Sequence, residues 1–178
     1  MQAVTTFIKR FFGSKDLSAF STKGEFVKGI NFNGKAITVD GYPWTAYSDA
    51  LTEGLSVPDS IVTETGVKPQ PSVNSGMKKM LNTVVCKRHK LEISQNVPNG
   101  SYEVYLWIME NYASNHHEMD VILGGQTVDK GIAKLAVNQW VKYGSYPTTV
   151  TDGSLNLALL TTNPERDAHL MGMAIFRV

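Results

Sequence analysis

From Gly24 onward the chain runs as short apolar, β-rich stretches separated by turn residues, a strand texture rather than a helical one. The stretches are Glu25–Phe32, Ala36–Val39, Lys90–Gln95, Ser101–Met109, Glu118–Leu123, Trp140–Tyr143, Thr148–Thr151, Leu155–Leu160 and His169–Val178. Between them stand Asn33-Gly34, Asp40-Gly41, Asn99-Gly100, Gly124-Gly125 and Asp152-Gly153, residue pairs that supply the positive φ of tight turns. Strand runs at this spacing predict an all-β sandwich or barrel. In one of them Leu155, Leu157 and Leu159 share a face opposite Ser154, Asn156 and Ala158, the mark of a half-buried strand. In another, Tyr102, Val104, Leu106 and Ile108 share a face, but the opposite face carries Glu103, Tyr105, Trp107 and Met109. That second face is either covered by a loop, such as 56–76, or is an aromatic platform made by Tyr105 and Trp107.

Two segments break the texture. Ala3, Val4, Phe7, Ile8, Phe11 and Phe12 recur at helical spacing and stop at Gly13-Ser14, which predicts a short amphipathic helix or leader over residues 1–23 ahead of a domain at 24–178. The stretch from Trp44 to Lys79 holds Pro58, Pro69 and Pro71 with many Ser, Thr and Gly, and predicts long connecting loops with one helical turn at Tyr47–Glu53.

Composition narrows the functional classes. With 178 residues, 42% hydrophobic and 19% charged, the chain has the size and apolar content of one folded domain. A net charge of +1 gives no electrostatic basis for holding nucleic acid. No apolar run is long enough to span a bilayer as a helix. The single Cys86 excludes an intramolecular disulfide; it lies in an apolar run and reads as a buried thiol. The first twelve residues lack the order of a signal peptide, so an extracellular or cell-surface location is expected only if a leader or a parent protein has been removed.

Two stretches carry a family signature. One is Gly29-Ile30-Asn31-Phe32-Asn33-Gly34 through Asp40-Gly41-Tyr42-Pro43-Trp44. The other is Gly100-Ser101-Tyr102-Glu103-Val104-Tyr105-Leu106-Trp107-Ile108-Met109-Glu110-Asn111-Tyr112, followed by Met119-Asp120-Val121-Ile122-Leu123-Gly124-Gly125. With the closing Asp152-Gly153-Ser154-Leu155 and Leu170-Met171-Gly172-Met173-Ala174-Ile175-Phe176, they resemble malectin and the malectin-like, galactose-binding-like carbohydrate-binding modules over residues 24–178. The resemblance implies a jelly-roll β-sandwich of two antiparallel sheets, preceded here by the short helix. It also implies a sugar site built from loop aromatics and polar side chains at one end. Carried over by position, the site falls on Tyr112 and on the late acidic residue Asp167, with Glu110 and Asn111 just before the tyrosine and Trp44 or Tyr47 as aromatics of the first long connection. Between Tyr112 and Asp120 the chain has His116 and His117 in place of the basic–aromatic residues often found in the family.

A sugar offers apolar C–H faces and hydroxyls, so its site needs flat rings and a few fixed hydrogen-bonding groups. The expected ligand-binding set is therefore Trp44, Tyr47, Glu110, Asn111, Tyr112, His116, His117 and Asp167. No cofactor is expected. A structural calcium drawing on Glu25 and Asp167 is a candidate, because such jelly rolls often hold one, although no calcium loop is present. Adjacent His116 and His117 point to opposite sides of an extended chain and make a poor metal pair. A non-catalytic glycan- or polysaccharide-binding module, an appendage of a larger carbohydrate-active enzyme among its settings, is the first expectation. A glycoside hydrolase or lyase using Glu110 with His116 or His117 is the second, and a protein-interaction module using the N-terminal apolar face the third.

Overall fold

The computed structural model describes residues 11–12 and 24–178. In chain order the first elements are β1 (Phe11–Phe12), β2 (Glu25–Asn31), β3 (Ile37–Val39), β4 (Tyr42–Ala46), α1 (Tyr47–Thr52), β5 (Leu55–Ser56) and β6 (Ile61–Glu64). There follow α2 (Ser75–Leu81), β7 (Thr83–Arg88), β8 (Lys90–Asn96), β9 (Gly100–Met109), β10 (Met119–Leu123) and β11 (Gln126–Ile132). The chain closes with β12 (Trp140–Val150), β13 (Ser154–Thr161), β14 (Asp167–Leu170) and β15 (Gly172–Arg177).

These form an all-β sandwich. A seven-stranded sheet, β1-β12-β9-β15-β2-β4-β3, faces a five-stranded sheet, β11-β10-β13-β8-β5. A three-stranded sheet, β14-β7-β6, adjoins them. Among the strands named above pairing is antiparallel except between β2 and β4, which run parallel; an isolated bridge between Gln70 and Gln139 is also parallel. Asp40-Gly41 and Gly124-Gly125 take positive φ at both residues and turn β3 into β4 and β10 into β11, the conformation that the twist of a two-residue hairpin demands.

The alternation on β9 divides the interior in two. Tyr102, Val104, Leu106 and Ile108 point into the main core, where Leu91, Ile93, Val121, Leu155, Leu157 and Leu159 meet them from the five-stranded sheet. Trp107 and Met109 point outward into a second core with Trp44, Trp140, Met171, Phe176 and the α2 residues Met77, Met80 and Leu81. The cover over this outer face is α2 with Val67 and Val73. The Asn74 side chain caps α2 by accepting from the Met77 N–H at 2.9 Å. Trp107 is 1% exposed and so is no platform for a ligand. Tyr105 is half-buried, edge-on to Phe176 at 5.8 Å.

Several expectations are corrected here. Phe11 and Phe12 are extended and pair with Lys142 and Val141 of β12, not helical; the rest of the predicted N-terminal helix lies outside the described residues. The predicted loop of 44–79 contains the end of β4, all of β5 and β6 and most of α2, and only α1 occupies its foreseen place. The two runs at Trp140–Tyr143 and Thr148–Thr151 are one strand, β12, with an irregularity in pairing to β9 between Tyr143 and Tyr146. The last run is two strands in different sheets, β14 and β15.

Candidate functional site

The three-stranded sheet presents one face to the main core, through Val85, Ala168 and Leu170. Because side chains alternate and cross-strand partners share a face, its other face carries Val84, Cys86 and Arg88 of β7. Beside them lie Asp167 and His169 of β14, opposite Arg88 and Cys86, and Thr63 of β6, opposite Val84. This face is the floor of an open cleft of about 460 Å³. Its other walls are Asn111, Tyr112, His116 and His117 from the β9–β10 loop, and Glu165 and Arg166 from the turn before β14. The volume lies within the range of small-molecule sites.

A buried carboxylate holds the loop in shape. The Glu110 side chain is 0% exposed and accepts from the backbone N–H of Tyr112 and of His117 at 3.0 Å each. His117 Nδ1 lies 3.0 Å from both Glu110 oxygens. Burial pushes the Glu110 carboxyl up, but the hydrogen bonds from the His117 ring and from the His117 and Tyr112 amides outweigh it, and the net shift is downward. An ionised Glu110 only accepts, so Nδ1 of His117 carries the proton between them. The loop is pinned elsewhere by the Asn115 N–H to Leu135 O (2.7 Å), the Val137 N–H to Ser114 Oγ (2.9 Å), and the Arg166 guanidinium, which donates to the carbonyls of Asn115 and His116.

These restraints line up four rings. Tyr112 and His116 have centroids 4.6 Å apart, His116 and His117 4.8 Å, and His117 and His169 3.8 Å in a stacked pair. Exposure falls along the row from Tyr112 at 73% to His169 at 2%. Complete burial, with His117 and His116 nearby, holds His169 well below the ordinary histidine range. Burial, His117 and Arg166 lower His116 against the opposite pull of Glu110 and Asp167. Arg88 meets Asp167 at 3.1 Å and Glu165 at 3.5 Å, so the charges at the cleft mouth largely compensate each other. Cys86 is pushed up to about 11 by burial and by Asp167, which makes it an inert thiol at neutral pH.

Of the residues expected at the site, Asn111, Tyr112, His116, His117 and Asp167 line this cleft, and Glu110 stands behind its wall. Trp44 does not join them. It is 2% exposed and edge-on to Trp107 at 4.8 Å, in the second core. The reason is a slot made by glycines: a Cβ on Gly29 would lie 2.4 Å from the Trp44 ring, and one on Gly172 would lie 2.7 Å from it. Tyr47, at the start of α1, packs half-buried against the main core with its ring 5.9 Å from Phe32. Glu25 pairs with Arg177 in the seven-stranded sheet, whereas Asp167 belongs to the three-stranded one. Among the described residues no group of three or more His, Cys, Asp or Glu is placed to hold a metal ion. Thr63, Thr65, Val84, Cys86, Arg88, Arg166 and His169 were not foreseen at the site.

Neither a protein-family model nor a curated protein sequence matches the chain. Solved structures do match in fold. A β-glucuronidase from Bacteroides uniformis superposes with a TM-score of 0.68 at 13% identity, over 85% of this chain and 18% of that one. The plant receptor-like kinase FER gives 0.66 at 18% identity, over 85% and 42%. The extracellular domain of ANXUR2 from Arabidopsis thaliana gives 0.65 at 14%, over 85% and 48%. FER also matches in a complex with the plant peptide RALF23 and LLG2, at a TM-score of 0.63. The chain thus spans under a fifth of that glucuronidase and under half of these receptor chains, and the likeness is one of fold.

Proposed function

We propose that the protein is a non-catalytic carbohydrate-binding domain that holds part of a glycan in the cleft between the Asn111–His117 loop and the three-stranded sheet. The observation that carries this reading is the pairing, in one open cleft, of the exposed ring of Tyr112 and the partly exposed ring of His116 with the polar side chain of Asn111 and the ion-paired Asp167 and Arg88. Near-compensated charge at the mouth suits a neutral polar ligand. Stacking a pyranose on Tyr112 would remove roughly 100 Å² of apolar surface from water, worth about 2–3 kcal/mol. With several hydrogen bonds and the cost of association, affinities on the order of millimolar to micromolar follow. The sequence resemblance to malectin-like modules and the shared fold support the reading from a separate direction.

A catalytic reading, a glycoside hydrolase or lyase, is favoured by one observation. Glu110 fixes the Nδ1 proton of His117 and so orients its other nitrogen as a base would need. Glu110 itself stands behind the cleft wall with its oxygens engaged by the Tyr112 and His117 amides and the His117 ring, so His117 or His116 would have to act. The deciding experiment is affinity electrophoresis across soluble polysaccharides with a parallel turnover assay. Retardation of the wild-type chain that is lost in Tyr112→Ala, with no product formed, is the expected result. Product release that depends on His117 would overturn it.

A further inference from the structure

We infer that His169 reads a sugar hydroxyl at the floor of the cleft, an assignment that rests on the glycan-binding reading above. His169 follows Asp167 by two residues on β14, so both rise from the cleft-facing side of the strand, and both line the cleft. The residue is 2% exposed, and its Nε2 has no hydrogen-bond partner among the described residues. Buried polar atoms are rarely left so, because an unmet hydrogen bond costs stability, and each exception calls for a group that completes the bonding or another physical reason. The neighbours cannot complete it. His117 has committed Nδ1 to Glu110 and meets His169 face to face rather than through a nitrogen. Cys86, directly across on β7, presents a weak donor, and the Asp167 carboxylate is engaged by Arg88.

Burial and the nearby imidazoles keep the His169 ring neutral, with one nitrogen a donor and the other an acceptor. A hydroxyl both donates and accepts, so it can satisfy Nε2 whichever tautomer the ring adopts. Stacking on His117 also fixes the plane of the ring, so little side-chain freedom remains to be lost when a ligand enters.

His169→Phe keeps a flat ring against His117 and removes both nitrogens. The test titrates methyl glycosides of D-glucose, D-galactose and D-mannose, each alone, into the full chain and follows binding by NMR. The expected result is that a glycoside bound by the wild type is bound about tenfold or more weakly by His169→Phe, with an unfolding midpoint equal or higher. Should His169→Phe not fold, the wild-type ring nitrogens answer instead: their ¹⁵N signals at His169 should move on addition of the glycoside, and unmoved signals overturn the inference. If Tyr112→Ala loses binding while His169→Phe stays within about twofold of wild type, the assignment of His169 falls and the glycan-binding reading stands. If the wild type binds no glycoside and no polysaccharide, both fall together.

Discussion

The molecule holds two sets of touching rings whose surroundings differ. Trp44 and Trp107 meet edge-on at 4.8 Å, under α2 and between glycines, with almost no surface left to water. Tyr112, His116, His117 and His169 run from solvent to the interior along one wall of a cleft. The first set is closed over mainly by apolar side chains, with the Lys142 ammonium 5.2 Å from the Trp107 ring. The second is threaded with groups that hydrogen-bond or titrate and is closed at one end only. Ring content alone does not separate a core from a binding surface; what separates them here is whether the rings are closed over by a helix and apolar side chains or open at one end beside polar groups of a cleft. Four changes test that contrast, beginning with the one expected to cost most.

Trp107→Ala should destabilise the fold by about 3–5 kcal/mol, since it empties a fully buried indole site between Trp44 and Met109. Chemical denaturation would show it as a lower midpoint at unchanged slope. Glycan affinity, measured where the variant is still folded, should stay near wild type. A stable variant that had lost affinity would reverse the contrast and restore the outer face as a ligand platform.

Glu110→Ala comes next, at about 2–3 kcal/mol, because it leaves the amides of Tyr112 and His117 and the His117 ring without their acceptor. This change should damage the cleft as well as the fold, since the loop that carries Tyr112 and His116 is shaped around that carboxylate. Amide exchange in residues 111–117 should rise more than exchange in β9. Equal exchange in both would mean that the carboxylate does not hold the loop.

These two residues also show what a sequence exposes and what it hides. The alternation on β9 was legible because each face of that strand meets a different environment, and the nature of the second face was narrowed to cover or platform. The loop wall was legible through its motif. The floor was not. In β7, Val84, Val85 and Cys86 are all buried in succession, since one side of the strand faces the main core and the other the second core and cleft, so the period-two contrast that marks a strand is erased. In β6 all four residues are exposed, which erases the contrast the other way. The cleft role of Cys86, Arg88 and His169 depends on the pairing of β7 with β14, about eighty residues apart, which no local pattern encodes. Trp44 was misplaced for a similar reason: its burial depends on Gly29 and on Gly172, far along the chain.

Acid should act on the cleft rows and leave the tryptophan pair alone. His169 is depressed by burial and by His117 and His116, so the native state refuses a proton that the unfolded chain accepts below about pH 6.5. Its contribution is fully present above that value and is lost as pH falls toward the folded pKa, with a slope of at most about 1.4 kcal/mol per pH unit for one proton. His116, lowered in the same direction, adds to the loss. Glu110, also lowered, adds stability that is present above the unfolded carboxylate value of about 4.3 and lost on further acidification through its folded pKa. Unfolding midpoints taken from neutral pH downward should therefore fall in two stages. His169→Phe should flatten the upper stage and leave the lower one, and an unchanged upper slope would show that His169 is not its source.

The smallest effect on stability is expected at Tyr112, and it is the change that sharpens the contrast most. The ring is 73% exposed and its phenol closes no part of either core, so Tyr112→Ala should move stability by no more than about 0.5 kcal/mol. The backbone bond from the Tyr112 amide to Glu110 survives the substitution, so the loop should keep its shape. Binding should respond quite differently. If the exposed ring is the outer end of the sugar-stacking row, its loss removes about 2 kcal/mol of apolar contact, roughly thirtyfold in Kd. A tryptophan in the same place should restore affinity, because stacking needs a flat face more than a phenol. The two variants measured together distinguish a ring that binds from a ring that is merely exposed: equal affinity in wild type, Tyr112→Ala and Tyr112→Trp would make Tyr112 an ordinary surface residue and move the search for the ligand to the floor around Asp167 and Arg88.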